Sequence, residues 1–239
     1  MKFKQTLTEA ILLKRHYRFL AEVSLKNRQK RMLYCPNLGL MPQCDILGSR
    51  VWFSSPVRLS QGCLDVWELS EVNGGWLVCV HAAYTQNLVQ EAIKFGRIPE
   101  LIGFNDWQTP LVPKIGDGIE LLMNSEGQQC FLHLENVLSG DEKNEGHFPN
   151  KKGEGIAALK ALIALRENGC RAVLLYCIQH NGVYALKTAN TIDEQYGILL
   201  REAAKKGVEI LAYRLSIAMD EIALTTKVPV LLSENTIFH

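Results

Sequence analysis

The chain has 239 residues, 47% hydrophobic, 21% charged and 8% aromatic, a composition that excludes disordered, collagenous and coiled-coil classes and fits one large domain or two ordinary ones. No apolar run approaches the roughly 18 to 20 residues of a membrane span; the densest, Ala172–Ile178, is far shorter, and no membrane role is expected. The net charge of +1 is unevenly divided: residues 1–31 hold nine Lys and Arg against Glu9 and Glu22, so residues 1–82 balance at +5 and the remainder at −4.

That asymmetry points to a polyanion met by the first third. The amino-terminal stretch lacks the apolar core of a secretory signal, since Ile11-Leu-Leu13 is cut off by Lys14-Arg15-His16. The seven cysteines form no C-x-x-C pair. They are expected to be buried thiols in a reducing cytoplasm.

The first third reads as β. Short β-branched and aromatic runs cover Leu7–Leu13, Phe19–Leu25, Lys30–Tyr34, Arg50–Ser54, Val66–Val72 and Trp76–His81. Lys26–Gln29 and Asn73–Gly75 supply hairpin turns. Such short strands without a helix predict a small closed barrel of the OB type, which binds nucleic acid through a strand face and flanking loops.

From Ala83 the period becomes helical, with Leu88, Val89, Ala92 and Ile93 on one face and an end near Gly96. The boundary is placed there, giving 1–82 as an OB-fold-like domain and 83–239 as an α/β domain, α+β overall. A Pro-containing loop, Arg97–Gly118, leads to a β pair, Ile119–Met123 and Gln129–Leu138. Ser139–Gly153 reads as an exposed loop, with His147 on it, followed by helix Glu154–Asn168 and strand Ala172–Ile178. A second helix starts at Thr191, where Thr191-Ile-Asp-Glu194 fits a capping box, and stops before Gly207. Strand Val208–Arg214 and a β tail, Glu221–Leu232, complete the pattern.

In the barrel, Cys35-Pro-Asn-Leu-Gly-Leu-Met41 is a loop rigid at Pro36 and permissive at Gly39, able to bring Asn37 to a phosphate or base. Trp52, Phe53 and Arg58 are candidates for stacking beside it, although Trp52 also suits a core. Asp65, Glu68 and Glu71, as strand carboxylates, are expected to be solvated. Lys14, Arg15, Arg18 and Arg31 are the expected phosphate contacts.

The ordered set of segments resembles the bacterial sugar fermentation stimulation protein family. It runs through the Lys-Arg-x-Tyr-Arg-Phe-Leu stretch ending at Leu20, Cys35–Met41, Trp67-Glu68-Leu69, Glu91-Ala-Ile93 and Phe148-Pro149. Asp193-x-x-Tyr196, Arg201–Ala204 and Gly207–Tyr213 complete the series. The resemblance implies an OB-fold domain, a carboxy-terminal PD-(D/E)xK nuclease-like domain, DNA binding, and a role in the regulation of sugar utilisation.

Nuclease chemistry of that type needs a carboxylate on one strand and an acid-x-Lys on the next, to hold a divalent metal and activate water. Against the family pattern, Glu120 stands at the first acid, but His133-Leu-Glu135 replaces acid-x-Lys, so the lysine is lost. Lys152–Leu159 keeps Gly155 and Leu159 and puts Glu154, Ala157 and Ala158 where the family carries Arg, Lys and His. The expectation is a DNA-binding protein with no catalytic residues and no cofactor. The alternative is a Mg- or Mn-dependent nuclease with a metal site rebuilt from Glu120, His133 and Glu135.

Overall fold

A computed structural model describes residues 1–55, 64–108, 119–124 and 126–232, together with the backbone of 233 and 236–238. Its first strands are β1 (Thr8–His16), β2 (Leu20–Ser24), β3 (Lys30–Tyr34), β4 (Arg50–Ser54) and β5 (Asp65–Val72). They lie in the order β3-β2-β1-β4-β5, and a parallel pairing of β3 with β5 closes the ring. Alternation of side chains explains the closure: Leu12, Val23, Leu33, Val51 and Phe53 turn inward around Trp67, all 0–1% exposed. Each such side chain contributes roughly 1.5–3 kcal/mol by leaving water.

The β2–β3 hairpin at Lys26–Gln29 and the Asn73–Gly75 turn lie where the turn residues put them, and β1 and β2 form a further hairpin. Strand β6 (Trp76–Cys79) continues from that turn, antiparallel to β5. Its backbone then reaches the second half of the chain: Cys79 N–H donates to Gln179 O at 2.9 Å, and Asn181 N–H to Leu77 O at 3.0 Å.

After α1 (Thr85–Lys94) come β7 (Asp106–Gln108), β8 (Ile119–Met123), β9 (Gln129–Val137), β10 (Glu145–Phe148), α2 (Ile156–Glu167) and β11 (Arg171–Ile178). Then follow β12 (Ala185–Thr188), α3 (Glu194–Lys205), β13 (Glu209–Ile217), β14 (Ile222–Lys227), β15 (Val230–Ser233) and β16 (Thr236–Phe238). A mixed six-stranded sheet has the order β14-β13-β11-β9-β8-β7, with β9, β11 and β13 parallel. A second sheet, β10-β12-β15-β16, flanks it.

The mixed sheet is buried on both faces, which is why β11 reads as a continuous apolar run. Leu88, Val89, Ala92 and Ile93 of α1 pack on one face, and Leu159, Leu162, Tyr196 and Leu200 of α2 and α3 on the other. The α1 cluster also takes in Trp52, Leu69 and Cys79 from the barrel, so one apolar core runs through residues on both sides of position 82.

Three expectations need correction. Ser139–Gly153 is not wholly an exposed loop: β10 lies within it, pairs with β12 in parallel, and buries Phe148 to 2% exposure. The charged neighbours of Gly146 and Phe148 masked its alternation. The α3 cap is Asp193, whose carboxylate accepts from Tyr196 N–H at 3.3 Å, not Thr191. The β tail is two strands in different sheets, β14 and β15, divided at Pro229.

The cysteines at 35, 44, 79, 130 and 177 are buried free thiols, and Cys170 is a half-buried one. Burial pushes the Cys79 and Cys130 thiols up to about 12. Cys63 and Arg58 lie outside the described residues. Among the described residues, no helix is long and apolar enough to cross a membrane.

Candidate nucleic-acid interface and the cleft beside it

The outer face of the barrel is built by β1, β2 and β3. Cross-strand register places Lys14 opposite Glu22, His16 opposite Leu20, Glu22 opposite Met32 and Leu20 opposite Tyr34, all turned away from the Trp67 core. Lys30 donates to Glu22 at 2.9 Å and holds its carboxyl below the usual carboxylate range. Arg31 pairs with Asp65 at 2.9 Å, and Lys26 with Glu9 at 3.9 Å. Lys14, Arg18 and Arg28 are exposed and make no ion pair among the described residues. The positive charge of the first third therefore survives at these cations and at the exposed Lys2 and Lys4 rather than at all of them.

Arg15 has a different role from the one its sequence position suggests. Its guanidinium is 12% exposed and pairs with Asp45 at 3.1 Å. It also donates to the carbonyls of Arg18 at 2.9 Å, Asn37 at 2.7 Å and Gly39 at 3.3 Å. Its donors are turned inward, tying the β1–β2 tip to the 35–41 loop. Asn37 is 7% exposed, its Oδ1 accepts from Gly39 N–H at 2.8 Å, and it lines the cleft beside the barrel. Trp52 and Phe53 are core residues at 7% and 1% exposure.

At the tip, Tyr17 and Arg18 adopt left-handed backbone with φ of 48° and 67°, a conformation costly for side chains other than Gly, Asn or Asp. Arg15 holds it through the Arg18 carbonyl. The tip thus overhangs a cleft of about 350 Å³ between the barrel and the mixed sheet. Arg18, Leu38 and Leu40 form one lip; Glu135 and Asn136 from β9, with Lys151 and Glu154 from the β10–α2 loop, form the other. No spacing in the chain marks Lys151 as a cleft residue, because its loop is positioned from a distance. Asp193 Oδ2 accepts from Gly153 N–H at 2.7 Å, and that bond holds the Asp193 carboxyl below its ordinary range.

Behind Glu135, the floor beneath the sheet-side lip is tightly packed. Phe148 meets Tyr176 and Tyr196 edge-on at 5.5 and 5.2 Å, and the two tyrosine hydroxyls hydrogen-bond each other. Gly155, at φ 74°, opens α2 against them. A Cβ there would stand 2.7 Å from Tyr196 Cε2 and 2.9 Å from Glu135 Oε1. This close approach and the positive φ together call for glycine at position 155.

The residues proposed for a rebuilt metal site do not converge. His133 and Glu135 share a face of β9, with Nε2 and Oε1 3.0 Å apart. The antiparallel register sets Ile119 opposite His133 and Glu120 opposite Leu132, so Glu120 belongs to the other face. There it accepts from Trp107 Nε1 at 3.1 Å, on the α1 side. Glu154 already accepts from Asn150 N–H at 2.6 Å. No group of three or more metal-ligating side chains gathers among the described residues. This donor set does not fit the divalent metal of a nuclease.

His147 lies on β10 with Nε2 3.0 Å from Asp141 Oδ2, outside the cleft lining. Glu68 is 2% exposed rather than solvated. Its Oε1 accepts from Ser54 Oγ at 2.7 Å and Tyr84 OH at 3.1 Å, while Oε2 has no hydrogen-bond partner among the described residues. Burial pushes this carboxyl upward, and burial lowers neighbouring His81, which stacks on Tyr84 at 3.8 Å.

A closed OB-type barrel with a basic outer face, joined through a shared core to a mixed-sheet α/β domain, defines a two-domain class of protein. The chain belongs to the sugar fermentation stimulation protein family. It matches the family described as "Sugar fermentation stimulation protein RE domain" over residues 83–221 and "SfsA N-terminal OB domain" over residues 13–80. A sugar fermentation stimulation protein homolog of Pseudomonas aeruginosa is 38% identical over 240 residues, covering 96% of this chain and 99% of the relative. Another from Teredinibacter turnerae is 36% identical, covering 97% of this chain and 100% of the relative. The solved structure of Pyrococcus furiosus SfsA in complex with Ca2+ shares the fold at a TM-score of 0.81, with 22% identity and coverage of 97% and 98% of the two chains.

Proposed function

We propose that this protein binds DNA through the outer face of its barrel and acts in the cytoplasm as a regulator of sugar utilisation, as the name carried by its relatives suggests. The observation that carries the binding reading is a set of exposed cations, Lys14, Arg18 and Arg28, that make no ion pair among the described residues. The other described cations of the barrel strands and turns, Arg15, Lys26, Lys30, Arg31 and Arg50, each have a carboxylate partner. Phosphate contacts of this kind give affinity without sequence readout and weaken steeply with salt.

The α/β half is read as a nuclease-like domain that has ceased to cut. Three features support this: Glu135 occupies the lysine position, Ala157 and Ala158 occupy the Lys-His positions, and Glu120 faces away from His133 and Glu135. The half is retained as one wall of the cleft and as the support on which the barrel packs.

The test is a titration of purified protein against labelled DNA at about 50 and 200 mM salt, a range over which phosphate-dominated binding falls steeply, with parallel Mn²⁺ samples on a denaturing gel. Binding should weaken at the higher salt, and the DNA should remain intact. Exchanging Lys14 and Arg18 for Ala should reduce the logarithmic salt slope by about 0.9 for each phosphate that is no longer neutralised. An unchanged slope in that variant would sink the assignment of these residues. Mn²⁺-dependent cleavage would instead revive the nuclease reading.

A further inference from the structure

Charge alone does not distinguish a duplex from a single strand, since both present phosphates. The aromatic side chains on the same end of the barrel do distinguish them. Tyr17 is 82% exposed, Phe19 42% and Tyr34 40%. Cys35 N–H donates to Phe19 O at 2.8 Å and Leu20 pairs with Tyr34, so Phe19 stands at the start of β2 opposite Cys35, and Tyr34 belongs to the other side of the ribbon. Tyr17 and Phe19 form a pair, their rings stacked with centroids 6.2 Å apart and planes inclined by 28°.

Two stacked rings left in water are unusual on a small barrel whose core is otherwise well filled. Their backbone support is firm, because Arg15 ties the tip to the adjacent loop and to Asp45. Cations bracket them: Lys14 precedes the turn on β1, and Arg18 lies between Tyr17 and Phe19. The acidic residue on this face, Glu22, is neutralised by Lys30. The surface therefore offers flat apolar faces and available positive charge within a few residues of each other.

We infer that this end of the barrel takes an unpaired stretch of nucleic acid, with bases stacked on Tyr17 and Phe19 and the intervening phosphates on Lys14 and Arg18. Within a duplex, each base face is covered by the next base pair, and only base edges and phosphates remain accessible. An unpaired strand exposes the base faces, which stack on aromatic rings with little dependence on sequence. This inference rests on the nucleic-acid reading above and narrows its substrate class.

The experiment compares three labelled ligands by fluorescence anisotropy at one low salt concentration. They are a mixed-sequence single strand of about 20 nucleotides, long enough to span the site of one OB fold, its duplex, and a strand of equal phosphate count made of abasic sites. The intact protein should bind the single strand at least about 10-fold more tightly than the duplex or the abasic strand, as stacking of even one base allows. The double exchange Tyr17→Ala and Phe19→Ala should bring the single strand to the abasic level while leaving duplex binding nearly unchanged. Exchanging the two rings, Tyr17→Phe with Phe19→Tyr, should restore the preference.

Equal or tighter duplex binding by the intact protein overturns the inference while leaving the nucleic-acid reading intact. The same holds if the alanine variant loses duplex and single-strand binding alike, the behaviour of a wedge inserted into a groove. Absence of binding to all three ligands overturns both readings.

Discussion

The two lips of the cleft use their charged groups in opposite ways. On the barrel side, Arg15 is occupied by carbonyls and Asp45, which leaves Lys14 and Arg18 presented outward beside exposed rings. On the sheet side, Glu135 is engaged with His133, Glu154 with Asn150, and Asp193 with the Gly153 loop. Internal hydrogen bonds hold the first lip open as a surface. In the second they close the lip on itself. The available cations and the self-bonded carboxylates therefore occupy facing but separate walls.

The contrast is broken most severely at Gly155. Gly155→Ala combines a φ of 74° with approaches of 2.7 and 2.9 Å to Tyr196 and Glu135, and is expected to cost about 2–4 kcal/mol. Thermal or urea unfolding would register the change; a shift near zero would mean that the floor is not packed as described. Because the barrel lip is not involved directly, the folded fraction should keep its salt-dependent DNA binding.

Arg15→Ala should cost less, roughly 2–3 kcal/mol, by leaving Asp45 and three carbonyls without their cation. It should weaken DNA binding while leaving the salt slope unchanged, since the side chain holds the tip and touches no phosphate. Lys14→Ala should do the reverse, with little effect on stability and a lower slope. If Arg15→Ala lowers the slope as Lys14→Ala does, the distinction between the anchoring and the presented cation fails.

The smallest effect concerns Glu68, on the seam behind both lips. Burial raises its folded-state pKa, so its stabilising contribution is full below the unfolded carboxylate range and is lost as pH rises through the raised value. Glu68→Gln removes that loss and should raise the melting temperature at neutral pH. The gain should vanish as the pH falls to the ordinary carboxylate range. Melting curves of both forms across that interval would decide it, and a gain independent of pH would exclude Glu68 as its source.

The barrel is readable in the chain because its strands alternate and its turns carry Asn, Gly and Lys in hairpin positions; β3 and β4 begin and end at the residues the pattern predicts. β10 and β12 are not readable, because each is short and is completed by a parallel partner distant in sequence. The individual roles of the cations are equally hidden. Lys14 and Arg15 are adjacent letters in one basic run, and only the register shift between Leu12 and Lys14 separates the exposed side chain from the anchored one. Glu120 illustrates the same limit, since a one-residue difference in pairing decides which face of the sheet it joins. The rings of Tyr17, Phe19 and Tyr34 stand within or beside strand-like runs, but their exposure depends on which side of a closed barrel is out.

The core that passes from Trp52, Leu69 and Cys79 into α1 and the mixed sheet makes the barrel a dependent part rather than a transplantable module. Cutting the chain after residue 82 would return those side chains to water and strip the β6 backbone of its bonds to residues 179–181. Leu69 and Cys79 are held in place by both halves at once, so an exchange at either is felt on both sides of position 82.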